Sequence, residues 1–437
     1  MTRLFPKSSF SLFSNRGGSV FKRSSISPLF YTNGFYTKES YTKKSYTLGF
    51  YTNGIFNPYS ISVPLENSNF APIGDISTKK SSSNRPMAYW LFVCAGLVFG
   101  VVVVGGITRL TESGLSMVDW SLLHFKPPSS EEEWHSYFEK YKQSPEYILL
   151  NDGISLGEFK KIYYMEYSHR MLGRLIGAAF LFPLTYFILT RRKSLSKSTK
   201  ISLTIIGSLI LFQGFLGWYM VKSGLDPEII EKKAAPRVSH YRLAAHLTTA
   251  FAIYLLMLRT GLSLLNPSIM MESSQSIRPR IKDLYAKLNG IVHLVGITAI
   301  SGAFVAGLDA GLIYNTFPKM GLQWIPDDLF VPNMLPLNNP TFVQFFHRAL
   351  AISSISYISF VWLYARRRLL PLMETPSSKR IISRALNLLM GAGMAQVGLG
   401  IFTLLWIVPV PLAAMHQAGS MVLLTTGSWA LYVLKRI

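Results

Sequence analysis

The run EYSHRMLGRLIGAAFLFPLTYFILT, Glu166 to Thr190, sets the fold class. From position 170 to 190 it is mostly apolar, and its length matches the ~20 residues a helix needs to cross a bilayer core. Seven further stretches qualify: 88–107, 201–221, 242–259, 288–307, 343–364, 384–405 and 411–433. The sixth and eighth spans open on polar residues, so they rest partly on the helix count. The expectation is an all-α polytopic membrane protein with eight transmembrane helices. Composition agrees, since only 15% of the 437 residues are charged, against ~25% in ordinary soluble proteins. With 49% hydrophobic residues the chain is too apolar to be disordered. Its single cysteine, Cys94, excludes a disulfide scaffold and a zinc site of several thiolates.

The net charge of +22 at first suggests nucleic acid, but its placement points to no nucleic acid partner. Loops 191–200, 259–287 and 365–384 and the C-terminus carry eighteen basic and three acidic residues. The alternating loops 109–167, 222–242, 308–341 and 406–410 carry twelve basic and sixteen acidic. Positive charge collects on the side from which a membrane protein inserts, so both termini lie on the basic side. Ahead of the spans, no acid precedes Glu39, while Arg3, Lys7, Arg16, Lys22, Arg23 and Lys38 do occur among hydroxylated residues. That is the composition of a mitochondrial transit peptide, which makes the basic side the matrix. Residues 1–60 are thus expected to be transit peptide and low-complexity sequence, including a "YT" tract assigned no fold, and 61–87 a matrix segment.

The two halves repeat. His169-Arg170 opens span two and His347-Arg348 span six; QGFLG (213–217) lies in span three and QVGLG (396–400) in span seven. RLAAH ends at His246 in span four, and PLAAMH at His416 in span eight. Each half has four spans, so the repeat is parallel. It predicts two tandem four-helix bundles, 88–259 and 288–437, joined by a matrix linker, 260–287. Such bundles build cofactor sites from side chains on facing helices.

Four of the eight histidines, His169, His246, His347 and His416, sit near the start of an even-numbered span, at similar depth near one membrane face. Ionisable residues inside a membrane are costly and point to function. Two imidazoles on facing helices suit axial ligation of a haem iron, which gives one haem site per bundle. Arg170 and Arg348 are candidate propionate contacts through charge-assisted bonds. Glu166 breaks the symmetry: three residues before His169 stands a carboxylate, three before His347 the amide Gln344. Residues so spaced share a helix face, and a carboxylate titrates where an amide does not. The first bundle therefore reads as the catalytic site and the second as the electron-transfer site. GGITRLTESGLSMVDW (Gly105–Trp120) follows span one, with a looser counterpart, GLDAGLIYNTFPKM (Gly307–Met320), after span five. Its glycines allow close backbone approach to a flat ligand, and Arg109, Glu112 and Asp119 are either a binding rim or solvated charges.

GGITRLTESGLSMVDW, EYSHRMLGRLIG, RLAAHL, FFHRALA and MHQAGS together resemble haem A synthase of the mitochondrial and proteobacterial type, over roughly residues 88 to 434. The resemblance implies a multi-pass enzyme of the mitochondrial inner membrane that oxidises a methyl group of haem O to the formyl group of haem A for cytochrome c oxidase. It implies haem b as cofactor on His347 and His416, the substrate haem on His169 and His246, and Glu166 as the catalytic carboxylate. Implied partners are an electron donor of the ferredoxin type, haem O synthase or oxidase assembly factors, inner-membrane lipid and a homo-oligomeric copy. Some bacterial members carry a cysteine pair in an outer loop; Cys94 lies inside span one, so a mechanism using that pair does not transfer. Two other classes remain to be weighed: a di-haem b-type cytochrome that only carries electrons, and an eight-span transporter, for which parallel repeats are also known.

Overall fold

The computed structural model describes residues 47–52, 55–60, 84–120, 126–191, 195–265 and 275–436. Most of the transit segment, His124 and the centre of the 260–287 linker lie outside these residues. The chain divides into two compact units, residues 1–80 and 81–437. In the first, Thr47–Thr52 and Ile55–Ser60 pair as an antiparallel hairpin, Thr47 opposite Ser60. The low-complexity tract, expected to have no fold, thus contributes a strand. Its Thr, Tyr and Phe residues favour extended backbone.

The second unit is helical. Its helices are α1 (Arg85–Leu110), α2 (Glu131–Lys142), α3 (Pro145–Leu150), α4 (Leu156–Arg191), α5 (Lys197–Lys222), α6 (Glu228–Glu231), α7 (His240–Leu264), α8 (Arg278–Gly307), α9 (Pro340–Tyr364), α10 (Pro376–Leu405) and α11 (Val410–Lys435). Among the described residues eight helices have 25 residues or more, and seven are apolar enough to cross a membrane. The eighth, α11, is diluted by Gln417, Gly419, Ser420, Thr425, Thr426 and Ser428, so its length and not its hydropathy marks it as a span. Its apolar side is nonetheless buried, with Met421, Leu424, Leu431 and Leu434 among the most enclosed residues of the core.

The repeat is visible in the packing. In the first half α1 packs on α4 and α7, and α5 on α7 and α4; in the second α8 packs on α9 and α11, and α10 on α11 and α9. The halves meet where α7 packs on α8 and α11, and α11 on α1. One continuous apolar core runs through both, from Leu91 and Val98 of α1 through Met257 of α7 to Ile291 of α8 and Leu424 of α11.

Local chemistry explains the longest helix. Pro183 stands inside α4 and has no N–H to give the carbonyl four residues back. That carbonyl, on Ala179, instead accepts from Trp90 Nε1 of α1 at 2.8 Å. The broken helical bond is thereby replaced by one that fixes α4 against α1. Toward its start α4 runs far beyond the expected span, back to Leu156. This extension carries Phe159 and Tyr163, which join Trp134, Phe138 and Tyr141 of α2 and Met117 in a small second core above the first bundle. The helix continues through Glu166, so Glu166 and His169 do lie on one helix, as their spacing requires.

Candidate functional site

Each of the four histidines rests on a glycine of the preceding long helix. A Cβ on Gly105 of α1 would lie 2.6 Å from His169 Cε1, and one on Gly302 of α8 3.2 Å from His347 Cε1. The corresponding distances are 3.3 Å from Gly217 of α5 to His246 and 2.8 Å from Gly400 of α10 to His416. Of the glycines expected to admit a flat ligand, Gly105 seats an imidazole ring, while Gly106 faces Gln417 and Gly307 faces His240; lacking a Cβ, the four seat glycines let the helices close up around a ring. A second repeated contact ties the helices of His246 and His416 to the long helix before each. Gln213 Nε2 donates to His246 O and Gln396 Nε2 to His416 O, both at 2.9 Å.

The histidine chemistry fits a haem iron. In the second half the His347 and His416 ring centroids are 6.4 Å apart with planes at 89°. Two imidazoles on opposite sides of one metal, each nitrogen about 2 Å from it, require centroids roughly 6 Å apart. Ser301 Oγ donates to Thr298 O at 2.7 Å, so at its 2.7 Å contact with His347 the imidazole Nδ1–H is the donor. That bond leaves Nε2 as the lone pair, the tautomer a ligand needs, and orients the ring. The position equivalent to Ser301 in the first half is Val104. No side chain bonds the buried Nδ1 of His169, His246 or His416; backbone of Val101 interacts with the His169 ring and backbone of Gln396 with the His416 ring.

Glu166 is almost fully buried, at 2% exposure. Its Oε2 accepts from Ser116 Oγ at 2.8 Å and from the Met117 backbone N–H at 2.7 Å. Its Oε1 accepts from Arg170 Nη2 at 2.6 Å and Nε at 3.0 Å. Arg170 in turn donates to Met117 O and Asp119 O and lies over the Trp120 ring. Carboxylate and guanidinium thus clamp the segment 116–120 onto α4. The second half repeats the clamp without the charge pair. Arg348 donates to Tyr314 O, Thr316 O and Lys319 O, and Gln344 Nε2 to Tyr314 O. The two loop motifs matched in the sequence are therefore equivalent in space, and both arginines hold loop carbonyls.

Arg170 also lines a cleft of about 410 Å³, with Trp120, Met117 and Val118 on one side and Trp218, Val221 and Lys222 of α5 on the other. Trp120 reaches to 4.0 Å from where a Gly217 Cβ would be, and Gly217 is the seat of His246. The cleft wall carries two cations, Arg170 and Lys222, and one acid, Asp226. Of the candidate rim charges, Arg109 pairs with Asp309, which also holds Arg237, and Asp119 pairs with Lys140. These charges tie loops together.

One further acid of this region has no signature in its own sequence neighbourhood of acidic loop. Glu146, in α3, is 3% exposed and accepts from Tyr141 Oη at 3.0 Å. Burial pushes its carboxyl up to about 8, with the nearby Glu166 and Glu112 adding to the rise and the Tyr141 hydroxyl and Arg109 opposing it. The Tyr141 phenol is raised as well, first by burial and then by Glu146. The one signal available in the sequence is the aromatic density around position 146, which is what buries it.

Residues 88–427 match the family described as cytochrome oxidase assembly protein. The chain belongs to this family. Relatives of the cytochrome oxidase assembly family include heme A synthase COX15 of Bos taurus, 47% identical over 86% of this chain and 90% of the relative. A heme A synthase of Nitrosospira multiformis is 43% identical over 82% of this chain and 96% of the relative. A heme A synthase-mitochondrial ferredoxin fusion protein of Schizosaccharomyces pombe is 41% identical over 81% of this chain and 61% of the relative. Membership in the cytochrome oxidase assembly family agrees with a polytopic helical membrane protein, in both mitochondrial and bacterial settings.

Proposed function

We propose that the chain is a haem A synthase, which oxidises a methyl group of haem O to a formyl group. The observation that carries this is the pairing of two equivalent imidazole sites with a carboxylate at only one of them. In this reading His347 and His416 hold haem b, and His169 and His246 receive haem O. The Ser301–His347 bond supports this division: a permanently loaded site gains from a preset tautomer, and Val104 stands in the first half where the second has Ser301. When bound, haem b supplies one-electron chemistry next to the substrate site.

The chain's own residues would then do the following. His169 and His246 hold the substrate from two sides, and their glycine seats set the distance between the helices. Arg170 and Lys222, which line the cleft, would supply positive charge for the carboxylate arms of haem O, and Arg348 would do so at the second site. Trp120 and Trp218 flank the entrance. Glu166 stands one helical turn before His169 and bonds Ser116, Met117 and Arg170, and from there it would hold a proton or offset positive charge developing at the methyl carbon. Going from methyl to formyl takes two two-electron oxidations; with dioxygen as the oxidant each also consumes two electrons from a reductant, for which a path is needed. The relative fused to a ferredoxin supports a ferredoxin as donor. Haem O synthase and oxidase assembly factors are proposed neighbours. The loop charge bias and the relatives' setting support the inner mitochondrial membrane, with both termini in the matrix.

A di-haem cytochrome would use the same four histidines but has no need of a carboxylate at one site, and a transporter has no need of any of them. Purified protein tests the reading: extraction should give haem B together with haem O or haem A. Haem B alone would favour the cytochrome, and colourless protein would remove both haem readings.

A further inference from the structure

The residue after the second histidine of each half breaks the repeat as sharply as Glu166 does. His246 is followed by Leu247, an apolar residue packed against the core. His416 is followed by Gln417, whose Nε2 crosses from α11 to donate to Val102 O of α1 at 3.1 Å. Its Oε1 rests on Gly106, where a Cβ would overlap it. The neighbouring Gly105 is the seat of His169. The repeat counterpart of Gly106 is Ala303. So glutamine meets glycine where the second half's helix α11 reaches the first half's α1, whereas leucine and alanine occupy the matching positions on α7 and α8.

An amide half-buried against an apolar helix costs free energy unless it is hydrogen-bonded. Gln417 meets that cost with a backbone carbonyl of the other half, which an apolar side chain cannot use. The bond also has a fixed reach, so it sets how α11 and α1 lie along each other. At one end of this short bridge is the backbone of His416; at the other is the helix turn that carries the seat of His169.

We propose that Gln417 is a positioning residue which latches the His347/His416 site to the His169/His246 site, holding the two at the spacing that electron passage between them needs. The inference rests on the haem reading above and adds to it a specific inter-site bridge. The step it serves moves one electron from the group on His347 and His416, which is oxidised, to the group on His169 and His246, which is reduced. No bond forms or breaks and no proton is required. The ultimate reductant is a one-electron iron–sulfur protein.

The test uses the full-length protein purified with its haems. Gln417→Leu restores the repeat counterpart, and Gln417→Asn keeps an amide but loses the reach. Both should keep haem at the two sites, while electron equilibration between them after photoreduction slows several-fold. Gly106→Ala should do the same from the other side, because its methyl displaces the glutamine. In a Gln417→Ala background Gly106→Ala should add no further loss of rate or melting temperature, the non-additivity expected of touching residues. Wild-type equilibration in both Gln417→Leu and Gln417→Asn, with both sites loaded, would overturn the latch alone. Purely additive effects of Gly106→Ala and Gln417→Ala would also overturn it. Wild-type protein that holds no haem on either histidine pair would overturn the haem reading and the latch with it.

Discussion

Replacing Glu166 by Gln separates a chemical role from a structural one, because the structure gives this carboxylate both. The Arg170 side chain is 8% exposed and that of Glu166 3%. Removing one partner of a buried ion pair costs about 3–5 kcal/mol when the remaining charge is left uncompensated. Arg170 keeps its bonds to Met117 O and Asp119 O, and the Gln344–Arg348 clamp shows that an amide beside such an arginine is tolerated. We therefore place Glu166→Gln at about 2–3 kcal/mol, near the value of one hydrogen bond to a charged group. Melting temperature should fall by several degrees, and protease should reach the 116–120 segment more readily. The double variant Glu166→Gln/Arg170→Met also loses the bonds to Met117 O and Asp119 O and should be less stable than Glu166→Gln alone. Haem A formation should behave differently. It should drop by ~10²–10⁴-fold, the range for loss of an acid–base group, in both variants, while haem B remains bound. Haem O or its alcohol should accumulate in the cells. Restoration of haem A in the double variant would refute the chemical role, and unchanged stability in Glu166→Gln would refute the clamp.

Four other outcomes follow from the same geometry. His347→Ala and His416→Ala should each lower the haem B that co-purifies, measured by the pyridine haemochrome spectrum; full retention in both would remove the assignment. Gly105→Ala and Gly400→Ala should displace His169 and His416 and lower haem binding, whereas Gly391→Ala, with nothing within 4 Å, should be neutral or slightly stabilising, since alanine favours a helix by up to ~1 kcal/mol over glycine. Glu146 binds its proton more tightly folded than unfolded, so its contribution is full below about pH 4.5 and is lost as pH rises through about 8. Stability of the loop core, followed by Trp134 fluorescence, should decline across that window, and Glu146→Gln should flatten the decline. Protease added to mitoplasts should cut the 109–167 loop while intact mitochondria protect it; cleavage only with matrix access would reverse the proposed orientation.

The fold is legible where chemistry repeats along the chain. The four histidines, the glutamines of QGFLG and QVGLG and the two HR pairs stand at matched positions, and a bilayer allows long apolar segments few alternatives to helix. Glu166 is legible as a difference between otherwise matching halves. What escapes depends on segments that meet only after folding. Arg170 sits next to a proposed ligand and reads as a propionate contact; its bonds to Glu166 and to carbonyls about fifty positions earlier in the chain appear only in the fold. Glu146 lies in an acidic loop and looks solvated, until the extension of α4 brings Phe159 and Tyr163 over the loop. The glycines are recognisable as sites of close approach, but what approaches them is set by the crossing of two helices, which no local pattern encodes.

The haem content of the wild-type protein tests the central claim most directly. Purified without added haem and extracted into acid acetone, it should yield haem B and, alongside it, haem O or haem A, with the haem B lost on mutation of His347 or His416 and the second haem on mutation of His169 or His246. Haem B as the sole pigment on both histidine pairs would contradict the claim that the Glu166 side of the molecule is built to act on a haem.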